Sequence, residues 1–246
     1  MAHRLFRDDF ESAGFTKWTG TSISAGETLA VQKAFVHHGG FAAEATTDGS
    51  AAIETAICYR TLAPTLSQLY ARLYARVVSH DLVAVDDRFH FIRFGAAAAN
   101  LAWIGWRYSG GVVKWYLLTR NGAGYSTVYA TGASPVVGQW YCIEMYWLED
   151  ALAGIGRCWV DGNLIMQTPA GIDTADYGDC LYVDMGIAET FNTVVADVIF
   201  DCCVIDNTYI GPEVPLRSLS SIGGKHRNKC KMLSTRRGWG GFAGLK

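Results

Sequence analysis

Leu69-Tyr70-Ala71-Arg72-Leu73-Tyr74-Ala75-Arg76-Val77 alternates without a break, apolar at the odd positions and Tyr or Arg at the even ones. A β-strand sends successive side chains to opposite faces, so this segment reads as a strand with one apolar and one amphipathic face. A helix would spread the same residues around its circumference. The expectation is a sheet packed against a core on one side.

Outward from this segment the same pattern recurs. Strands are expected at about 28–36, 41–46, 51–60, 68–79, 87–95, 100–108, 112–119, 125–131, 139–148, 155–161, 164–168, 180–189 and 195–206. Most of these runs are closed by Gly, Asn, Asp, Ser or Pro. Ser109-Gly110-Gly111 predicts one hairpin, and Asp161-Gly162 predicts another with a two-residue type I′ turn. So many strands exceed an immunoglobulin sandwich and suit two larger antiparallel sheets. The predicted fold class is all-β, a two-sheet antiparallel jelly-roll sandwich over residues 1–212. A basic, Gly-rich C-terminal tail follows at 213–246.

Composition supports this division. Half of the 246 residues are hydrophobic and 18% are charged, which is globular. Residues 1–212 carry 13 Lys/Arg against 22 Asp/Glu, whereas residues 213–246 carry eight Lys/Arg against Glu213 alone. The acidic body argues against specific nucleic-acid recognition, because phosphates would be repelled. The tail, with Met232, Leu233, Trp239 and Phe242 among its basic groups, is expected to join copies of the chain or virion proteins through residues 218–246. Seven Cys without any C-x-x-C spacing predict buried free thiols rather than a zinc site. The N-terminus lacks an apolar signal-peptide core, which predicts synthesis in the cytoplasm without a signal peptide. No apolar run reaches the about 18 residues of a membrane span.

Three passages together carry a family resemblance. Asp9-Phe10-Glu11-Ser12 through Trp18 resembles the opening strand of β-sandwich modules. Gln139-Trp140-Tyr141-Cys142-Ile143-Glu144-Met145-Tyr146-Trp147, followed by Trp159-Val160-Asp161-Gly162, resembles the central hairpin of laminin G-like and glucanase-like sandwiches. Asp197-Val198-Ile199-Phe200-Asp201, running on to Asp206, resembles the last strand returning beside the first. The chain therefore resembles the concanavalin A-like lectin/glucanase superfamily over residues 8–211. The resemblance implies the jelly roll but leaves function open, since binding modules, lyases and hydrolases share that fold.

For calcium, the positions matching carbohydrate-binding sandwiches are Asp9, Glu11, the carbonyl of Gly40 and Asp201, hard oxygens from distant segments. A structural calcium is the one cofactor implied. Glycoside hydrolysis needs two facing carboxylates. The nearest match, Glu144 to Glu149, has Tyr146 where a central Asp should stand. For a lyase, His90, Arg93, Arg107, Tyr116 and Arg120 are the right residue types, without the spacings of known lyases. For a sugar platform, Trp103, Trp106, Tyr108, Trp115 and Tyr116 share one hairpin with Arg107 and Arg120. Trp103 and Trp106 differ by three, so an undistorted strand sends them to opposite faces and at least one belongs to the core. The expected function is a non-enzymatic adhesin or virion-surface component, of phage type for example, that recognises a cell-surface polysaccharide. The alternative is a polysaccharide lyase or glycoside hydrolase on the same fold.

Overall fold

The computed structural model describes residues 4–122 and 124–213. Its strands are β1 (Phe6–Asp8), β2 (Gly20–Ile23), β3 (Thr28–Gln32), β4 (Ala42–Asp48) and β5 (Ala56–Leu66). Next come β6 (Gln68–His80), β7 (Arg88–Gly95), β8 (Asn100–Ser109), β9 (Val112–Asn121) and β10 (Gly124–Tyr129). The last are β11 (Trp140–Leu148), β12 (Ile155–Val160), β13 (Asn163–Gln167), β14 (Cys180–Phe191) and β15 (Val195–Asp206). One sheet has the order β13-β12-β11-β6-β15-β4-β3, with β1 also paired to β15. The other is seven-stranded, β10-β9-β8-β7-β14-β5-β2. Neighbours in sequence are often distant in a sheet, as expected of a jelly roll.

The alternation in β6 decides its place. Leu69, Ala71, Leu73, Ala75 and Val77 are buried and pack in the core between the sheets. The seven-stranded sheet supplies Phe89, Phe91, Trp106, Leu117 and Ile187 to the same core. Trp106 is fully buried, edge-on to Trp115 at 5.6 Å and within 5.8 Å of Phe89 and Phe91. Such ring pairs add stability beyond the area they bury.

The amphipathic face of β6 is less solvated than alternation alone suggests. Arg72 is buried and donates to the carbonyls of Gly211 at 2.8 Å and Cys202 at 3.3 Å. Beside it in register, Glu144 accepts the amides of Ile210 and Gly211, each at 2.8 Å. Glu144 thus holds the backbone that follows β15.

Both predicted hairpins form with the expected turn chemistry. Gly110 and Gly111 have φ of 64° and 85°, and Asp161 and Gly162 have φ of 51° and 79°. Positive φ at both central residues defines type I′. The last strand does return beside the first, with Phe6 opposite Ile205. The opening differs from expectation. Asp9 to Trp18 is a run of turns, with Phe10 and Ala13 at φ of 57° and 55°, while the paired strand is the preceding Phe6–Asp8. Asp8 holds those turns by accepting the Phe10 amide at 3.1 Å and the Trp18 indole N–H at 2.8 Å.

Cys58, Cys142, Cys158, Cys180, Cys202 and Cys203 are free and buried. No helix among the described residues is long and apolar enough to cross a membrane. Apart from Glu213, the tail at 213–246, with its expected assembly segment, lies outside the described residues.

Candidate functional site

The outer face of the seven-stranded sheet collects its chemistry in rows, because antiparallel register places residues of adjacent strands side by side. One row runs Phe191, Arg88, Arg107, Lys114. The next runs Glu189, His90, Gly105, Tyr116, Tyr129. The third runs Tyr59, Asp184, Arg93, Trp103, Leu118, Thr127.

Gly105 explains the middle row. It lies between His90 and Tyr116 and has no side chain, so the two reach each other across it. His90 Nε2 and the Tyr116 hydroxyl are hydrogen-bonded. A Cβ at position 105 would collide with the Phe89 carbonyl oxygen. The other imidazole nitrogen, Nδ1, faces the Glu189 carbonyl at 3.0 Å and must donate to it. Nε2 is therefore the acceptor and Tyr116 the donor. Burial holds His90 well below its usual pKa and pushes the Tyr116 phenol well above its own, so both are neutral at pH 7.

Around this buried floor stands a rim of partly buried arginines. Arg93 bridges Asp184 at 2.6 Å and Glu189 at 3.3 Å, and burial raises both carboxyls. Arg107 pairs with Asp86 and lies 5.7 Å from the Tyr129 ring. Arg88 lies 3.6 Å over Phe191, and Arg120 lies 4.1 Å over Tyr177. Several donors on this face have no partner: Trp103 Nε1 and the Nε of Arg88, Arg107 and Arg120 are all buried and unbonded. A recess of about 270 Å³ adjoins the third row, lined by Tyr59, Thr61, Arg93, Tyr182 and Asp184 among others.

Of the expected sugar-contacting set, Trp103, Arg107, Tyr116 and Arg120 lie on this face. Trp106 and Trp115 point into the core, and Tyr108 packs against it. His90 and Arg93, weighed for a lyase, join the face as well. Asp184 and Glu189 went unnoticed in the sequence. Their separation of five puts them on opposite faces of a regular strand. A bulge between Met185 and Glu189 brings both to the outer face.

Three of the acids matched to calcium, Asp9, Glu11 and Asp201, have partners within the protein. Asp9 pairs with Lys17 at 3.4 Å. Glu11 Oε1 accepts the amides of Gly40 and Phe41, at 2.8 and 3.1 Å. Asp201 Oδ2 accepts the amides of His37 and His38, at 3.1 and 3.0 Å. Asp201 and Glu11 thus hold the middle and the end of the loop between β3 and β4. Asp9, Glu11 and Asp201 do not form a group of side chains whose oxygens all lie within 4.8 Å of one another among the described residues. Asp201→Ala, which strips the amides of His37, His38 and Cys202 of their acceptor, is expected to cost about 1–3 kcal/mol in denaturant melts. An unchanged midpoint would show that these bonds carry no stability.

With the geometry described, comparison adds the fold. No family model and no curated protein matches the sequence. Solved structures do. Cellulose induced protein Cip1 aligns over 85% of this chain and 100% of its own, with 20% identity and a TM-score of 0.62. The endo-β-1,4-glucuronan lyase from the fungus Trichoderma reesei aligns over 84% and 96%, with 14% identity and a TM-score of 0.64. A carbohydrate esterase from the Shiga toxin-encoding bacteriophage phi24B aligns over 84% and 99%, with 12% identity and a TM-score of 0.55. The fold these structures share with the chain is the two-sheet jelly-roll sandwich. At these identities the likeness establishes the architecture alone, and function has to be argued from the face itself.

Proposed function

We propose that the outer face of the seven-stranded sheet binds an acidic polysaccharide, and that the chain is a non-enzymatic recognition module of the adhesin or virion-surface kind. The observation that carries this reading is the row of cations Arg88, Arg107 and Lys114, set side by side on this face by the register of β7, β8 and β9. Charge selects the kind of ligand. Arg88, Arg93, Arg107, Lys114 and Arg120 outnumber Asp86, Asp184 and Glu189 on or beside this face, on a body that is acidic as a whole. Carboxylates of a polyuronate would meet arginines by charge-assisted bonds. The glucuronan lyase among the structural neighbours acts on such a polymer.

Affinity electrophoresis tests this. Polygalacturonate or alginate in the gel is expected to retard the protein, while a neutral β-glucan leaves its migration unchanged. Arg107→Ala is expected to weaken binding about tenfold or more, the worth of a charge-assisted hydrogen bond. Added salt is expected to weaken it too. Equal retardation by the neutral polymer would overturn the charge argument.

One observation favours a second reading, lyase activity. A phenol donating to a neutral imidazole beside arginines is equipped to move a proton next to a uronate carboxylate. His90 and Tyr116 are buried, so the arginine rim must part before they could touch substrate. Unsaturated uronate ends released from a polyuronate, and lost in Tyr116→Phe, would establish this reading over the first.

A further inference from the structure

Away from that face, Glu27, Asp48 and Glu54 bring carboxylate oxygens within 4.8 Å of one another. Oxygens sharing one calcium ion lie at most about 5 Å apart, twice a bond of about 2.3–2.6 Å. A second observation points into the same space. Glu27 is only 9% exposed, and neither of its carboxylate oxygens has a hydrogen-bond partner. A carboxylate buried in this way is unstable unless a positive charge meets it. None of the ion pairs among the described residues brings a Lys or Arg to any of the three acids.

The surrounding backbone holds the other two acids in place. Glu54 accepts the Ala51 amide at 2.7 Å and the Gly49 amide at 3.1 Å, and Asp48 accepts the Ser50 amide at 2.8 Å. Gly26, at φ +98°, lets its backbone approach closely, since an added Cβ would lie 2.9 Å from Asp48 Oδ2. We propose that Glu27, Asp48 and Glu54 form a calcium site that ties the two sheets together. Glu27 immediately precedes β3 and Asp48 ends β4, both in the sheet that contains β6. Glu54 is bound to the other sheet, its amide donating to the Thr190 hydroxyl and its carbonyl accepting the Thr190 amide, each at 2.9 Å. The donors are all hard oxygens without His or Cys, which favours calcium over a transition metal.

Calorimetric titration of calcium chloride into the chelator-stripped full chain, with thermal melts alongside, tests the site. Wild type is expected to bind calcium and to melt at a higher temperature with it. Glu27→Gln is expected to weaken this binding at least tenfold. Asp48→Asn, at an exposed position that leaves the fold intact, is expected to weaken binding in the same way. Glu11→Gln is expected to leave it unchanged. Absence of calcium binding in wild type, or unchanged binding in both Glu27→Gln and Asp48→Asn, would overturn the proposal.

Discussion

Trp106→Ala is expected to destabilise the protein by about 3–5 kcal/mol, the cost of replacing a fully buried large aromatic. Trp106 lies at the centre of the core, surrounded by Phe89, Phe91, Trp115 and Tyr141. These rings come from three strands in two sheets, so the cavity cannot close by moving one element. Trp103→Ala, three residues away on the outer face, removes a ring of the same size that packs on His90 and Tyr125. It is expected to cost clearly less stability and to weaken ligand binding. Urea melts of the two variants read this difference directly. Equal losses would mean that Trp103 is as much a core residue as Trp106.

Arg93→Ala is expected to cost about 2–4 kcal/mol at neutral pH, somewhat below a fully buried ion pair because this one is partly exposed. The arginine neutralises two carboxylates at once, Asp184 and Glu189. Removing it leaves buried Asp184 without a cation, while Arg88 still acts on Glu189. The pH dependence identifies the cause. Burial already raises both carboxyls, and losing the arginine raises them further. Protonation then relieves the unmet charge, so the cost is expected to shrink as pH falls from 8 toward about 5. A cost independent of pH would show that lost packing of the arginine stem dominates.

The strands were legible because alternation is a local signal, and so were the Gly110-Gly111 and Asp161-Gly162 turns. The short β1 and β2 were not, since Phe6–Asp8 and Gly20–Ile23 are too brief to display a period. The face was legible only in part. That Trp103 and Trp106 must diverge follows from their spacing, but which of them faces inward depends on the neighbouring strands. The meeting of His90 and Tyr116 needs strands β7, β8 and β9 in one register, with a glycine at the crossing, and no local pattern announces that. His90 and Arg93 share a face although they differ by three, because the pairing of β7 with β8 shifts between His90 and Ile92. Bulges of this kind break the arithmetic on which reading faces from sequence depends.

The claim that the basic outer face takes an acidic glycan is tested most directly by calorimetric titration with oligogalacturonate, beside a neutral cello-oligosaccharide of the same length. Wild type is expected to bind the acidic oligomer and not the neutral one. Arg107→Ala is expected to weaken binding about tenfold or more while the fold stays intact. Binding of the neutral oligomer with equal affinity, or unchanged binding of the acidic one by Arg107→Ala and Trp103→Ala, would contradict the account.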